Sequence, residues 1–67
     1  MEGLIKIGSL TVASRARRSL LEYGIRTRLT RTETTKEGCL WGLRVARKDI
    51  LAASTYLRRM GVVHELH

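Results

Sequence analysis

Apolar positions recur at two spacings in the first half of the chain and divide it into strand, helix and strand. Leu4–Ile7 is a short apolar run followed by Gly and Ser, which is typical of a strand. Over Thr11–Tyr23 the apolar residues return every three or four positions, which predicts an amphipathic helix capped by a hydroxyl residue near its start. Gly24 is placed to end this helix, and the alternation over Ile25–Thr30 predicts a second strand.

The second half of the chain repeats this order. Glu33–Gly38 is polar and predicts a loop, and Leu40–Val45 alternates as a third strand. Ile50–Met60 has helical spacing, Gly61 can end that helix, and Val62–Leu66 predicts a short last strand. We therefore predict an α+β fold: a ferredoxin-like β-α-β-β-α-β sandwich with two helices on one face of a four-stranded antiparallel sheet, forming a single domain over residues 1–67.

The alternation in the strands also predicts what each face of the sheet carries. The apolar set, which includes Trp41, must face the helices, so we expect Trp41 to be largely buried. The open face then carries Leu40 and four cations that form a candidate polyanion-binding surface, namely Lys6, Arg26, Arg28 and Arg44. No aromatic residue is expected there for base stacking, so binding would depend on charge rather than on base sequence.

Charge and size indicate the kind of partner. Thirteen Lys and Arg against six Asp and Glu give a formal net charge of +7, which favours nucleic acid or an acidic protein. Three arginines on the outer side of the first helix suit either docking to an acidic partner or solubility alone: Arg15, Arg17 and Arg18. Because so small a domain has a thin margin of stability, we expect self-association through the open sheet face or its edge.

The sequence lacks the residues that several classes of function need. The chain has one cysteine, no pattern of a signal peptide and no long apolar run, so we expect a cytoplasmic protein with no membrane partner. No hydrolase triad, paired carboxylates or Gly-rich phosphate loop is present. His64 and His67 would point to opposite faces of a strand and could not share a metal. We therefore expect neither an enzyme nor a bound metal or cofactor.

Cys39 is the one residue whose chemistry suggests a reaction. It follows Gly38 at the predicted junction of loop and strand, where a thiol is reachable, and Lys36 and Arg44 are cations near it in the sequence. Nearby cations favour the thiolate, which is the nucleophilic form. The alternative is a buried cysteine that acts as a small apolar side chain.

Three short segments around this cysteine carry a family resemblance: EGCLWGLRV at 37–45, DIL at 49–51 and MGV at 60–62. They resemble the selenium/sulfur carrier-like family of small proteins, formerly a domain of unknown function, as does LEYGI at 21–25. The best marked motif of that family is Gly-Cys-Gly before an apolar, Arg-containing strand, and Leu40 stands here in place of the second Gly. The family has the same β-α-β-β-α-β order.

The resemblance implies a carrier role. Cys39 would accept sulfur or selenium as a persulfide or selenopersulfide from a donor protein and pass it to an acceptor. Gly38 would keep the loop open, and Lys36 and Arg44 would support the thiolate. The alternative function, from a different class, is a basic non-catalytic module that binds RNA or an acidic protein with its sheet face.

Overall fold

Strands and helices follow one another in the predicted order in the computed structural model, which describes all 67 residues. The elements are β1 (Glu2–Gly8), α1 (Leu10–Glu22), β2 (Thr27–Thr35), β3 (Gly38–Ala46), α2 (Ile50–Arg59) and β4 (Glu65–Leu66), with one turn of 3-10 helix (Arg47–Asp49) before α2. The strands form one sheet in the order β2-β3-β1-β4, and all neighbouring strands are antiparallel. The prediction of an α+β fold with a four-stranded antiparallel sheet and two helices is confirmed.

Local signals in the sequence determine where α1 begins and ends. The side chain of Ser9 accepts a hydrogen bond from the backbone N–H of Val12 at 3.2 Å, which satisfies one of the free donors of the first turn. After the helix, Gly24 takes a φ of 93°, a conformation that costs glycine little. Ala13, Ala16 and Leu20 lie on one side of α1 and are fully buried, as the spacing predicts.

The core lies between the sheet and the two helices. Ile5 of β1 and Leu43 of β3 stand side by side in the sheet register and are fully buried. They pack with Leu20 of α1 and Leu57 of α2, which are also fully buried, so both helices cover the same face of the sheet. Neither helix is long and apolar enough to cross a membrane.

Two strand boundaries differ from the expectation. The prediction of a loop over Glu33–Gly38 is wrong, because β2 continues to Thr35, which pairs with Gly38, the first residue of β3. Only residues 36–37 form the turn. At the other end of the chain, the predicted strand Val62–Leu66 is reduced to the two residues of β4.

A bulge interrupts the pairing of β2 with β3. Arg31 pairs with Trp41 and Glu33 pairs with Leu40, so the register shifts across Thr32. In a bulge the extra residue is left unpaired, and the strand beyond it is offset by one position relative to its partner. The hairpin that carries Cys39 therefore has a different register from the rest of the sheet.

Trp41 is mostly buried without being fully enclosed, which agrees with the expectation that it is largely buried. It shares the helix-facing side of β3 with Leu43, as the alternation predicts. The guanidinium of Arg31 lies 5.9 Å from the centre of its ring, within the range of a cation–π contact. Part of the shielding of the indole therefore comes from this arginine.

Candidate functional site

The β2–β3 hairpin positions Cys39 at its far end. The turn consists of Lys36 and Glu37, and the hydroxyl of Thr35 donates a hydrogen bond to the carbonyl of Gly38 at 2.9 Å. Gly38 has a φ of 131°, which side chains rarely allow. Cys39 is the next residue, and it is half-buried and forms no disulfide.

Two side chains of β2 reach the sulfur of Cys39. The Nη1 of Arg31 lies 3.8 Å from Sγ, and the hydroxyl oxygen of Thr34 lies 4.0 Å from it. A guanidinium can only donate, so the sulfur is the acceptor in the first contact. A thiolate accepts such a hydrogen bond better than a thiol does, because it carries the negative charge. The hairpin therefore presents a cysteine with a cationic donor beside it.

The bulge decides which residue of β2 faces Cys39. Beyond the bulge, Thr34 is the partner of Cys39 and Glu33 is the partner of Leu40. Had the register of Thr27 to Arg31 continued without a shift, Glu33 would stand opposite Cys39. A carboxylate in that place would repel a thiolate. The shift puts a hydroxyl there instead and carries the carboxylate to the other face of the sheet.

The cations expected to support Cys39 form no hydrogen bond with its sulfur. Lys36 is exposed in the turn and makes no hydrogen bond or ion pair. Arg44 belongs to β3 like Cys39 but is five residues further along and on the opposite face of the sheet, about 17 Å away at the usual rise of a strand. The supporting cation that the structure brings to the thiol is Arg31, which the sequence analysis did not single out.

The open face of the sheet carries carboxylates as well as the expected cations. Arg28 and Arg44 are paired in the strand register, so these two cations lie side by side on one face of the sheet. Arg28, however, forms an ion pair with Glu2 at 3.0 Å, and Lys6 stands beside Glu65 of β4. Arg26 is exposed just before β2 begins. Lys6, Arg28 and Arg44 thus share one face of the sheet, where carboxylates partly neutralise them. Polyanion binding and self-association through this face stay predictions.

Most of the positive charge lies on the helices instead. Residues 10–22 and 47–59, which hold α1 and α2, contain seven cations and two acids, whereas the rest of the chain contains six cations and four acids. The helices therefore account for +5 of the net charge of +7. None of their side chains takes part in an ion pair, since Arg28–Glu2 is the only one in the structure. The cations of the helices are Arg15, Arg17, Arg18, Arg47, Lys48, Arg58 and Arg59.

His64 forms a hydrogen-bonded pair with a buried serine. Its Nε2 lies 2.7 Å from the hydroxyl of Ser54, and its Nδ1 lies 2.8 Å from the carbonyl oxygen of Val62. A carbonyl can only accept, so Nδ1 carries a proton and donates it to Val62, while Nε2 and the serine hydroxyl share the second hydrogen bond. Ser54 is only 3% exposed. The pair therefore ties the end of the chain to α2 and offers no reachable nucleophile.

Comparisons with family models, with curated proteins and with solved structures find no match for this chain. No three His, Cys, Asp or Glu side chains lie together in a way that could hold a metal ion.

Proposed function

We propose that this protein is a small sulfur or selenium carrier that works through Cys39 without being an enzyme itself. The observation that supports this proposal is the contact of the Arg31 guanidinium with the sulfur of Cys39 at 3.8 Å. A carrier cysteine must act both as a nucleophile and as a leaving group, and the guanidinium is placed to donate a hydrogen bond to the sulfur in both steps.

The loading step we propose is thiolate attack on a donor persulfide. The Cys39 thiolate attacks the terminal sulfur of a donor R–S–SH, a new Sγ–S bond forms, and the sulfur–sulfur bond of the donor breaks. The electron pair of that bond leaves with the donor as R–S⁻, and the transferred sulfur keeps its hydrogen. No external oxidant or reductant is needed. A selenopersulfide donor would react in the same way with selenium as the transferred atom.

Four features of the hairpin support this role. Gly38 allows the tight turn that places Cys39 at the end of β3, and Cys39 is only half-buried, so a donor can approach it. The bulge places Thr34 rather than Glu33 opposite the sulfur. Lys36 in the turn adds an exposed cation to the surface that a donor protein would meet.

We also propose that the fold is the ferredoxin-like sandwich, which is the fold the family resemblance implies. The strand order β2-β3-β1-β4 and the packing of both helices on one face support this assignment. A reducing compartment such as the cytoplasm would keep the single thiol free.

The test is transfer of sulfur from a cysteine desulfurase. The full chain is incubated with the desulfurase and free cysteine and is then examined by intact mass spectrometry under non-reducing conditions. We expect a mass gain of one sulfur atom that is removed by a reducing agent and does not occur in Cys39→Ser. A parent protein that gains no sulfur under conditions where the desulfurase loads a known acceptor would refute the carrier role.

The role of Arg31 is tested separately by the rate of alkylation with iodoacetamide. Arg31→Gln keeps a polar side chain but removes the charge, and we expect the rate at Cys39 to fall by up to about fivefold, the size of an exposed charge effect. Arg26→Gln removes the same charge away from the hairpin and serves as the matched control. Equal rates for the two variants would contradict the support that we assign to Arg31.

A basic binding module remains the second candidate function, and the charge of the helices favours it. Cys39→Ser would leave such a function intact, so the same variant separates the two candidates.

A further inference from the structure

The helices follow the antiparallel strands β1 and β3 and return over the same face of the sheet, so they run antiparallel to each other with a seam between them. An upper cleft of about 490 Å³ lies between the start of α1 and the segment that follows α2, and Val12 and Val63 line it. A lower cleft of about 310 Å³ lies between the end of α1 and the outer side of α2, and Tyr23 and Leu51 line it. The seam therefore has an apolar depression at each end.

The two clefts contain exposed apolar side chains that are not part of the core. Val63 is 87% exposed and Leu51 is 73% exposed, and neither packs against the buried cluster. Tyr23 stacks on Tyr56 with ring centres 4.4 Å apart, which forms a firm wall for the lower cleft. Exposed apolar groups gathered in clefts, rather than scattered singly, are typical of an interaction surface.

An arginine stands at each cleft. Arg15 lines the upper cleft and Arg59 lines the lower one. Arg59 lies in the last turn of α2, where the helix dipole favours a cation. The arginines of α1 have no such local reason, because α1 has no basic residue in its last turn, and Arg15 lies in the first half of the helix. Their charge is available to a partner.

We propose that this seam docks an acidic amphipathic helix of a partner protein. Apolar side chains on one face of that helix enter the two clefts, and its carboxylates meet Arg15 and Arg59. α1 has 13 residues and is therefore about 20 Å long, so an occupant of about four turns spans the seam. Recognition of this kind uses anchors spaced at i, i+3, i+4 and i+7.

The charge and the apolar anchors together exclude two other occupants. A second copy of this chain would place the seven cations of its helices against the seven of the first copy, and the two surfaces would repel each other. A nucleic acid backbone would satisfy the arginines but would leave Val63 and Leu51 facing phosphates, with no apolar group to cover them. The acidic amphipathic helix satisfies both features.

This surface does not depend on the carrier proposal, since Cys39 lies in the hairpin and lines neither cleft. Binding by Cys39→Ser should therefore equal binding by the parent protein. Loss of binding in that variant would place the peptide at the hairpin and overturn the assignment to the seam.

The probe is a fluorescein-labelled synthetic peptide of about four helical turns, with leucines on one face and glutamates on the other. The comparison peptide has the same composition in an order that destroys the apolar face. Fluorescence anisotropy with the full chain measures both affinities. We expect the amphipathic peptide to bind at least about tenfold more tightly, because only it can place anchors in both clefts. Equal affinities would overturn the proposal.

Variants of the protein distinguish the contribution of the apolar clefts to binding from that of the arginines. We expect Val63→Ser and Leu51→Ser each to weaken binding of the amphipathic peptide by about three- to tenfold, since each substitution removes an apolar wall of a cleft without changing the core. The double variant Arg15→Gln and Arg59→Gln should weaken binding of the same peptide by about tenfold at low salt and by less at high salt.

The matched control removes the same charge from the face of the sheet that points away from the helices, with Arg28→Gln and Arg44→Gln. We expect this control to bind within about twofold of the parent, because charges so far from the seam are screened. A loss equal to that of the Arg15 and Arg59 pair would show attraction by net charge alone and would overturn the seam. An RNA duplex of matched charge that binds more tightly than the peptide and ignores Val63→Ser would assign the surface to nucleic acid instead.

Discussion

Gly42 is the position where one added methyl group should damage the sheet most. It lies in β3, between Lys6 of β1 and Thr30 of β2 in the register. A Cβ built on Gly42 would overlap the backbone carbonyl oxygen of Ile5 and would lie 2.9 Å from Cγ2 of Thr32. The carbonyl cannot move unless β1 moves away from β3, and Ile5 is part of the fully buried core.

The expected cost of Gly42→Ala follows from this overlap. Forcing an extra methyl group into a closely packed site typically costs about 1–3 kcal/mol. A domain of this length has roughly 3–10 kcal/mol of total stability. The melting temperature of so small a domain falls by about 4–8 °C for each kcal/mol lost. We therefore expect Gly42→Ala to lower the melting temperature by about 4–24 °C.

Two comparison variants isolate the cause. A Cβ on Gly3 would meet only the outer atoms of the Ile50 side chain, which can rotate away, so Gly3→Ala should cost about 1 kcal/mol or less. Thr32→Ser in the Gly42→Ala background removes the methyl contact but leaves the carbonyl overlap, so it should restore only part of the loss. Urea unfolding monitored by circular dichroism measures all four proteins. A Gly42→Ala midpoint equal to that of the parent, or a larger loss in Gly3→Ala, would refute the reasoning.

Two further predictions concern the helices. Leu57→Ala and Leu20→Ala should each destabilise the protein by about 2–5 kcal/mol because both side chains are fully buried. Leu51→Ala on the exposed side of α2 should cost about 0.5 kcal/mol at most. Similar urea midpoints for the three variants would contradict the assigned helix faces. Ser54→Ala should cost about 1 kcal/mol because Nε2 of His64 loses its hydrogen-bond partner. A double-mutant cycle with His64→Ala that gives no coupling energy would show that the pair is not formed in solution.

The helices were predictable because their signals are local. The apolar spacing of α1, its serine cap and its terminal glycine all lie within sixteen residues, and each acts on the backbone next to it. The extension of β2 was not predictable in the same way, because Thr32–Thr35 has no apolar alternation. Those residues form a strand because β3 supplies the backbone partners.

The candidate site depends even more on the register. Cys39 could be identified from the sequence, but its neighbour Arg31 is eight residues away and reaches the sulfur only through the pairing of the hairpin. A single-residue bulge decides whether Thr34 or Glu33 faces the thiol, and no composition pattern marks the bulge. Arg44 is nearer to Cys39 in sequence than Arg31 is, yet the alternation of a strand sends it to the other face.

The same bulge has a consequence for solubility. β2 is the outermost strand on its side of the sheet, and its nine residues would offer a long row of free backbone donors and acceptors to another chain. The bulge between Arg31 and Glu33 divides that row into a run of five residues and a run of three, offset from each other by one position. A straight strand from another molecule can follow only one of the two runs, so growth of an aggregate by strand addition at this edge is disfavoured.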